Sequence, residues 1–331
     1  MAPPKIWRLV LKVDGFVIAM LLAIALSFIA PNLGAKNGSL RLDVVTNWGI
    51  AAIFFISGAN LSLPALRNGL AAWHLHLFAQ ITTFLIFPIF GYFIYILSAG
   101  LISPEIRLGF FFLCALPSTI SSSVALTAIA KGNVSAAVFN ATLSNIIGML
   151  ITPLLVSIIL TSSNLPKLPL VPAIITIATT LLLPFALGQL LRPFLRNFMA
   201  KHHSSIRIID RAVIISIVFA AFCNANVAQV WRSTSAIEIV LIGFGVAVLL
   251  AIATSAVRIT AQYFGFAQPD QICAVFCASQ KSLASGAPIA AILFADNPAL
   301  SMIILPIMVY HMMQLILGSI IAKNYANFEV N

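Results

Sequence analysis

Charge is what this sequence lacks most. Only 8% of its 331 residues are Asp, Glu, Lys or Arg, against roughly 25% in soluble domains, and a water-soluble chain has no other way to cover its exterior. Acidic side chains are the scarcest. The eight are Asp14, Asp43, Glu105, Asp210, Glu238, Asp270, Asp296 and Glu329. All lie near the ends of apolar runs or between them, so an intramembrane enzyme needing carboxylates at depth has none to use. Also missing are a glycine-rich nucleotide loop, an HExxH pair and a nucleophile elbow, which leaves an ATP-driven pump or a membrane hydrolase without support. The four cysteines, Cys114, Cys223, Cys273 and Cys277, show no zinc or disulfide spacing and read as buried small hydrophobes. The net charge of +10 is scattered between apolar runs and forms no stripe interleaved with aromatics, so no nucleic-acid partner is indicated.

What is present is apolar length. With 61% hydrophobic residues, the solvent implied is a lipid bilayer, and the chain reads as an all-α membrane protein. About 20 apolar residues cross the hydrocarbon core as a helix. Cutting at turn formers and charges gives ten candidate spans: 13–29, 44–61, 75–97, 108–130, 134–160, 171–191, 206–225, 237–261, 271–294 and 300–322. The first follows Lys5, Arg8 and Lys12 as a signal peptide would, but its length and its Pro31-Asn32 ending favour a retained span.

Ten spans put both termini on one side of the membrane. One set of loops then carries Lys5, Arg8, Lys12, Arg67, Lys131, Arg192, Arg196, Lys201, Arg207, Arg211, Arg258 and Lys323, and the other only Lys36, Arg41, Arg107, Lys167 and Arg232. The positive-inside rule makes the richer side, with both termini, cytoplasmic, in a multi-pass protein of the cell membrane. The basic residue left over is Lys281, inside the ninth span.

The polar stretch 192–211 divides the spans five and five, with repeats 1–165 and 166–331. Span 4 reads Cys114-Ala115-Leu116-Pro117-Ser118 and ends near Asn133; span 9 reads Cys277-Ala278-Ser279-Gln280-Lys281 and ends near Asn297. Halves with an odd number of spans make such a repeat inverted.

Two spans are interrupted. In span 4, Pro117 is followed by Ser118, Thr119, Ser121, Ser122 and Ser123. Proline removes a backbone hydrogen bond, and freed carbonyls at membrane depth need protein or a watery cavity. Such a stretch suits a cation or an anionic headgroup, but it also suits a simple kink with serines bonded back to their own helix. In span 9, Ser279, Gln280, Lys281, Ser282 and Ser285 stand beside Gly286 and Pro288. A lysine at mid-bilayer costs about 2.5–3.5 kcal/mol on insertion scales, which marks it as functional. With no acid at its depth, it faces carbonyls, water, a bound anion or a neutral state. Span 5 adds Asn140, Thr142, Ser144 and Asn145, either lining the same site or joining helices. His74, His76, Trp73 and Trp48 read as interfacial anchors. His311 reads as a helix-to-helix hydrogen bond or a relay.

At these residues the chain resembles the bile acid:sodium symporter family, in its divergent bacterial branch, to which a vertebrate solute carrier also belongs. The likeness rests on Leu116-Pro117-Ser118-Thr119 leading to Lys131-Gly132-Asn133-Val134, on 276–284 with Gly286 and Pro288, and on 305–308 with His311 and Gln314. It implies ten helices in two inverted repeats. Spans 1, 2, 6 and 7 would form a panel domain and spans 3–5 and 8–10 a core, with spans 4 and 9 crossing at their breaks. It also implies sodium as coupling ion, with Ser122 and Ser123 at the place of a sodium-binding Ser-Asn pair and Thr83 at that of a span 3 glutamine. No glutamate exists in span 9, and a fixed ammonium repels a nearby sodium. The expectation is a secondary transporter of a small organic anion, sodium-dependent and working by alternating access, with no other cofactor. The alternatives are a proton-coupled or uncoupled transporter, or a membrane regulator that keeps the fold without transport.

Overall fold

The computed structural model describes residues 15–61, 72–161, 170–232, 234–295 and 297–328. Lys5, Arg8, Lys12, Arg67 and Lys167 of the charge test lie outside the described residues, as do Asp14, Asp296 and Glu329. Among the described residues the fold is helical, with no strand beyond one isolated bridge at Ala99 and Ile102. A helix is the form in which an apolar segment satisfies its own backbone in lipid.

In chain order the helices are α1 (Gly15–Ile29), α2 (Leu42–Asn60), α3 (Trp73–Leu97), α4 (Pro104–Ala115), α5 (Ser121–Ile129) and α6 (Val134–Thr161). Then come α7, continuous through Leu170–Ile177, Ala178–Leu182 and Leu183–Lys201, and α8 (His203–Val227), α9 (Ala236–Tyr263), α10 (Gln268–Ser279), α11 (Leu283–Leu293) and α12 (Leu300–Phe328). Six of them, α2, α3, α6, α7, α9 and α12, are each long and apolar enough to cross a membrane. α1 is apolar but has 15 residues, and α8 has 25 with Asp210 and Arg211 inside it. The fourth and ninth apolar runs of the sequence are each split. Their halves, α4 with α5 and α10 with α11, have 12 and 9, then 12 and 11 residues, so no half alone reaches across the hydrocarbon.

Proline shapes two unbroken helices as well. Pro88 and Pro184 offer no N–H, and the turn before each widens: Phe87 N–H reaches Thr82 O, and Leu183 N–H reaches Ala178 O. α4 and α10 carry Pro104 and Pro269 in their first turns, where no donor is missed. α9 opens on a capping box between Ser235 and Glu238.

One core cluster joins α4, α11 and α12 through Phe110, Phe112, Leu116, Leu283, Ile303 and Ile307. Another gathers α10 with α3, α5, α6 and α9 through Cys273, Phe276, Leu75, Leu126, Ala137 and Val257. α2 and α7 approach most closely. A Cβ added to Gly58 would stand 2.0 Å from Phe185 O, and one on Gly188 would stand 2.0 Å from Phe55 O, so only glycine lets the two backbones meet there. Loops are tied across the chain by Lys36 N–H to Asn224 Oδ1 at 2.7 Å, Ser103 N–H to Glu238 Oε1 at 2.8 Å and Asn133 Nδ2 to Asp270 Oδ1 at 2.8 Å.

All four cysteines are buried. Trp48 and Trp73 are exposed, as anchors should be. His76 is not: it is buried, with its ring 4.1 Å from that of Phe139. Two residues make about half a turn of helix, so His76 faces away from His74, which is exposed.

Candidate functional site

The two broken helices meet at their breaks. Leu116 leaves α4 in an extended conformation and Gln280 does the same after α10. Ser282 N–H donates to Pro117 O at 2.9 Å, so the two irregular backbones are hydrogen-bonded to each other. The carboxyl ends of α4 and α10 therefore come together, and so do the amino ends of α5 and α11.

A helix that stops at mid-membrane leaves carbonyls unpaired and negative partial charge at its end. Lys281 supplies the answer for α4. Its Nζ donates to Leu116 O at 2.8 Å, Cys114 O at 2.9 Å and Thr83 O at 3.3 Å, and lies 4.2 Å from the centre of the Phe87 ring. The third acceptor follows from Pro88, which brings no N–H to the Thr83 carbonyl in the widened turn of α3. Of the settings open to the lysine on sequence grounds, the carbonyls are the one observed. The side chain is 0% exposed, so its ammonium faces protein rather than an open cavity. Phe87 also lines an apolar cavity of about 860 Å³ between α3 and α9, with Thr82, Ile86, Phe90, Ala253 and Val257 among its walls.

Each break is clamped by the helix one further along the chain. On the first, Ser118 N–H donates to Ser144 Oγ at 3.0 Å, Ser118 O accepts from Asn145 Nδ2 at 2.9 Å, and Ala115 O accepts from Thr152 Oγ1 at 2.7 Å, all from α6. On the second, Lys281 N–H donates to Gln314 Oε1 at 2.8 Å, Lys281 O accepts from Gln314 Nε2 at 2.9 Å, and Ser279 O accepts from Tyr310 Oη at 2.6 Å, all from α12. Ser282 caps α11, accepting from Ser285 N–H at 3.1 Å, and the Ser285 hydroxyl donates to Asn145 Oδ1.

A cluster of oxygens bridges the breaks. Gln280 Oε1 accepts from Ser122 Oγ at 2.7 Å, Thr119 Oγ1 at 2.9 Å and Ser123 Oγ at 3.1 Å. Ser123 Oγ also lies 3.0 Å from Phe276 O and 3.3 Å from Ser118 Oγ. Among the described residues no carboxylate joins them, and no group of three or more His, Cys, Asp or Glu is placed to hold a metal.

Of the site residues read from the sequence, Ser118, Thr119, Ser122, Ser123, Ser144, Asn145, Gln280, Lys281, Ser282 and Ser285 thus form one network. Thr83 and Ser279 join through their carbonyls, while the Ser279 hydroxyl turns back onto Val275 O at 2.6 Å. Two others do not join: Ser121 is exposed on the first turn of α5, and Asn140 bonds instead with Gln80 Nε2 at 3.3 Å and Cys273 Sγ at 3.9 Å. Sequence reasoning left Gln314, Tyr310 and Thr152 out of the site. Tyr310 and Gln314 stand four residues apart on one face of a helix in a mostly apolar run, and that spacing was the available signal.

Two helices broken at one crossing, over residues 116–120 and 280–282, lie inside a match to the sequence profile of the SBF-like CPA transporter family that covers residues 14–327. The chain belongs to that family. Members of the SBF-like CPA transporter family are transporters, not enzymes, and this one is a multi-pass membrane protein. It is 36% identical over 313 residues to an uncharacterized protein of Pseudomonas aeruginosa, covering 95% of this chain and 93% of that one. It is 33% identical over 325 residues to an Escherichia coli protein named "Putative symporter YfeH" (97% and 94% covered). Sodium/bile acid cotransporter 7 of Xenopus tropicalis is 31% identical over 327 residues, with 97% and 94% covered.

Proposed function

We propose that this chain is a ten-span secondary transporter that moves an organic anion by alternating access, with sodium as the coupling ion. The ten spans are α1, α2, α3, α4 with α5, α6, α7, α8, α9, α10 with α11, and α12. They make inverted repeats 1–165 and 166–331, a panel of α1, α2, α7 and α8, and a core of the rest, with both termini cytoplasmic. The repeat reading is supported by the clamps. When Cys114 is set against Cys277, Ser118 falls on Lys281, and each of these has its N–H and its C=O held by the next span.

The observation that carries the proposal is the crossing itself, where two breaks are bonded to each other at Ser282 and Pro117. Backbone opened at membrane depth is tolerated against protein or a watery cavity, and paired breaks in two halves of a chain are where many secondary transporters hold their solute. The amino end of α5 has no side-chain cap, and Ser121 is exposed there with Ser122 half-buried, an arrangement that attracts an anionic group. The apolar cavity beside Phe87 suits the body of an organic anion. Sodium would take the oxygens of Gln280, Thr119, Ser122 and Ser123, which are hard neutral donors. Lys281 holds its carbonyls as a fixed cation.

Among the described residues no carboxylate stands at the crossing, which favours a second reading, a proton-coupled, uncoupled or non-transporting protein on the same fold. Uptake of radiolabelled organic anions into proteoliposomes, with and without an inward sodium gradient, separates the two. Uptake driven by sodium and lost in the Ser122→Ala/Ser123→Ala double variant is the expected result. Flux indifferent to sodium removes the coupling ion, and absence of flux for every anion removes transport.

A further inference from the structure

We infer that His311 Nδ1 is a proton-binding site linked to the opening of the α10–α11 break, with Gln314 as the link. A backbone amide fixes the geometry. Lys281 N–H can only donate, so the atom 2.8 Å away must be the carbonyl oxygen of Gln314. That fixes the amide's orientation, and its nitrogen gives one hydrogen to Lys281 O at 2.9 Å. The second hydrogen of the same nitrogen faces His311 Nδ1 at 3.0 Å. Nδ1 must therefore accept. The imidazole carries no proton on that atom while the clamp is closed.

A proton arriving at Nδ1 sets a donor against a donor. Gln314 can relieve this only by turning its amide over to present oxygen to the imidazolium, which places its NH₂ against Lys281 N–H. Both bonds to the Lys281 backbone are then lost. By linkage, an open break and a protonated Nδ1 favour each other. The proton comes from water and returns to it, and no other bond changes.

Among the described residues, charged groups lie on several of the helices around His311. α1 brings Phe16, whose ring stands edge-on to the imidazole at 6.3 Å between centroids, and α8 brings Asp210 and Arg211, with Arg211 Cζ 5.5 Å from the centre of the Phe16 ring. From the break, the Lys281 ammonium is turned to the α4 carbonyls. Arg258 of α9 stacks on Tyr325, nearly four turns along α12 from His311. Glu105 and Arg107 belong to the first turn of α4, where Arg107 Nε donates to Tyr95 O. α5 and α11 carry no charged residue. His311 is itself half-buried.

The inference concerns how the break is held and does not depend on sodium coupling. The test is hydrogen exchange at the Lys281 amide, in nanodiscs, comparing the unaltered protein with His311→Gln at each pH so that intrinsic exchange cancels. The glutamine keeps an acceptor for Gln314 but takes up no proton. Near pH 8 the two should exchange alike, and near pH 5 the unaltered protein should exchange about tenfold faster. A ratio that stays flat with pH overturns the inference. In parallel, nitrogen-15 histidine spectra of a form with His74, His76, His202 and His203 replaced by glutamine should show Nε2–H at neutral pH. Finding the proton on Nδ1 overturns the inference even if His311→Gln fails to fold.

Discussion

The two helix breaks are built alike and finished differently. At the α4–α5 break the side chains are hydroxyls, the first turn beyond it is partly exposed, and nothing carries charge. At the α10–α11 break Gln280, Lys281 and Ser282 are all buried, and one of them is an ammonium reaching across to the other half's carbonyls. Both solve the same problem of an interrupted backbone in lipid. The first is closed by hydroxyls and exposes Ser121 beside a half-buried Ser122, whereas the second sets a charged side chain on the carbonyls of the other half. The lesson is that similar breaks can be finished with different chemistry, and on the proposed function they divide their labour, one facing the solute and one holding the crossing.

Removing the ammonium should break this comparison most. Lys281→Met leaves three buried carbonyls without a donor, and a loss of about 3 kcal/mol in stability is expected, read as a lower unfolding temperature in detergent. A variant as stable as the parent would show that the carbonyls find water. Next in size, Gln280→Leu removes the acceptor shared by Thr119, Ser122 and Ser123. It should weaken binding of radioactive sodium by about tenfold or more while leaving the elution volume of the purified protein unchanged. The clamps provide a matched pair. Gln314→Leu and Asn145→Leu should each cost about 1–2 kcal/mol in thermal unfolding, with the larger cost at Gln314, which holds both the N–H and the C=O of one residue. Equal effects on sodium binding from both would remove the proposed division. The smallest effect is expected from Trp48→Ala, an exposed side chain at 75%, with stability changed by less than about 0.5 kcal/mol.

Much of this was legible from the residues alone. Helical class followed from the apolar runs, and the breaks were placed by Pro117 and by Lys281 among serines and glycine. Depth and lack of acids marked Lys281, but which carbonyls it would take was not readable. That depends on Pro88 widening a turn in α3, nearly two hundred residues away in sequence. Ser279 looked like a site residue because hydroxyls in a broken helix invite that reading, yet a serine inside the last turn can satisfy itself on the carbonyl four residues back. Asn140 shares its helix with Ser144 and Asn145, but it bonds instead to Gln80 and Cys273. His76 shows the same limit, since composition marks an aromatic near an interface without saying which face of the helix it occupies.

The glycine seam between α2 and α7 bears on mechanics. Where two backbones touch with no side chains between them, there are no rotamers to switch and no ridge to climb, so these helices are expected to travel as a single plank. Any large displacement in the cycle must then be absorbed along bulkier seams, where α8 rests on α11 and α12.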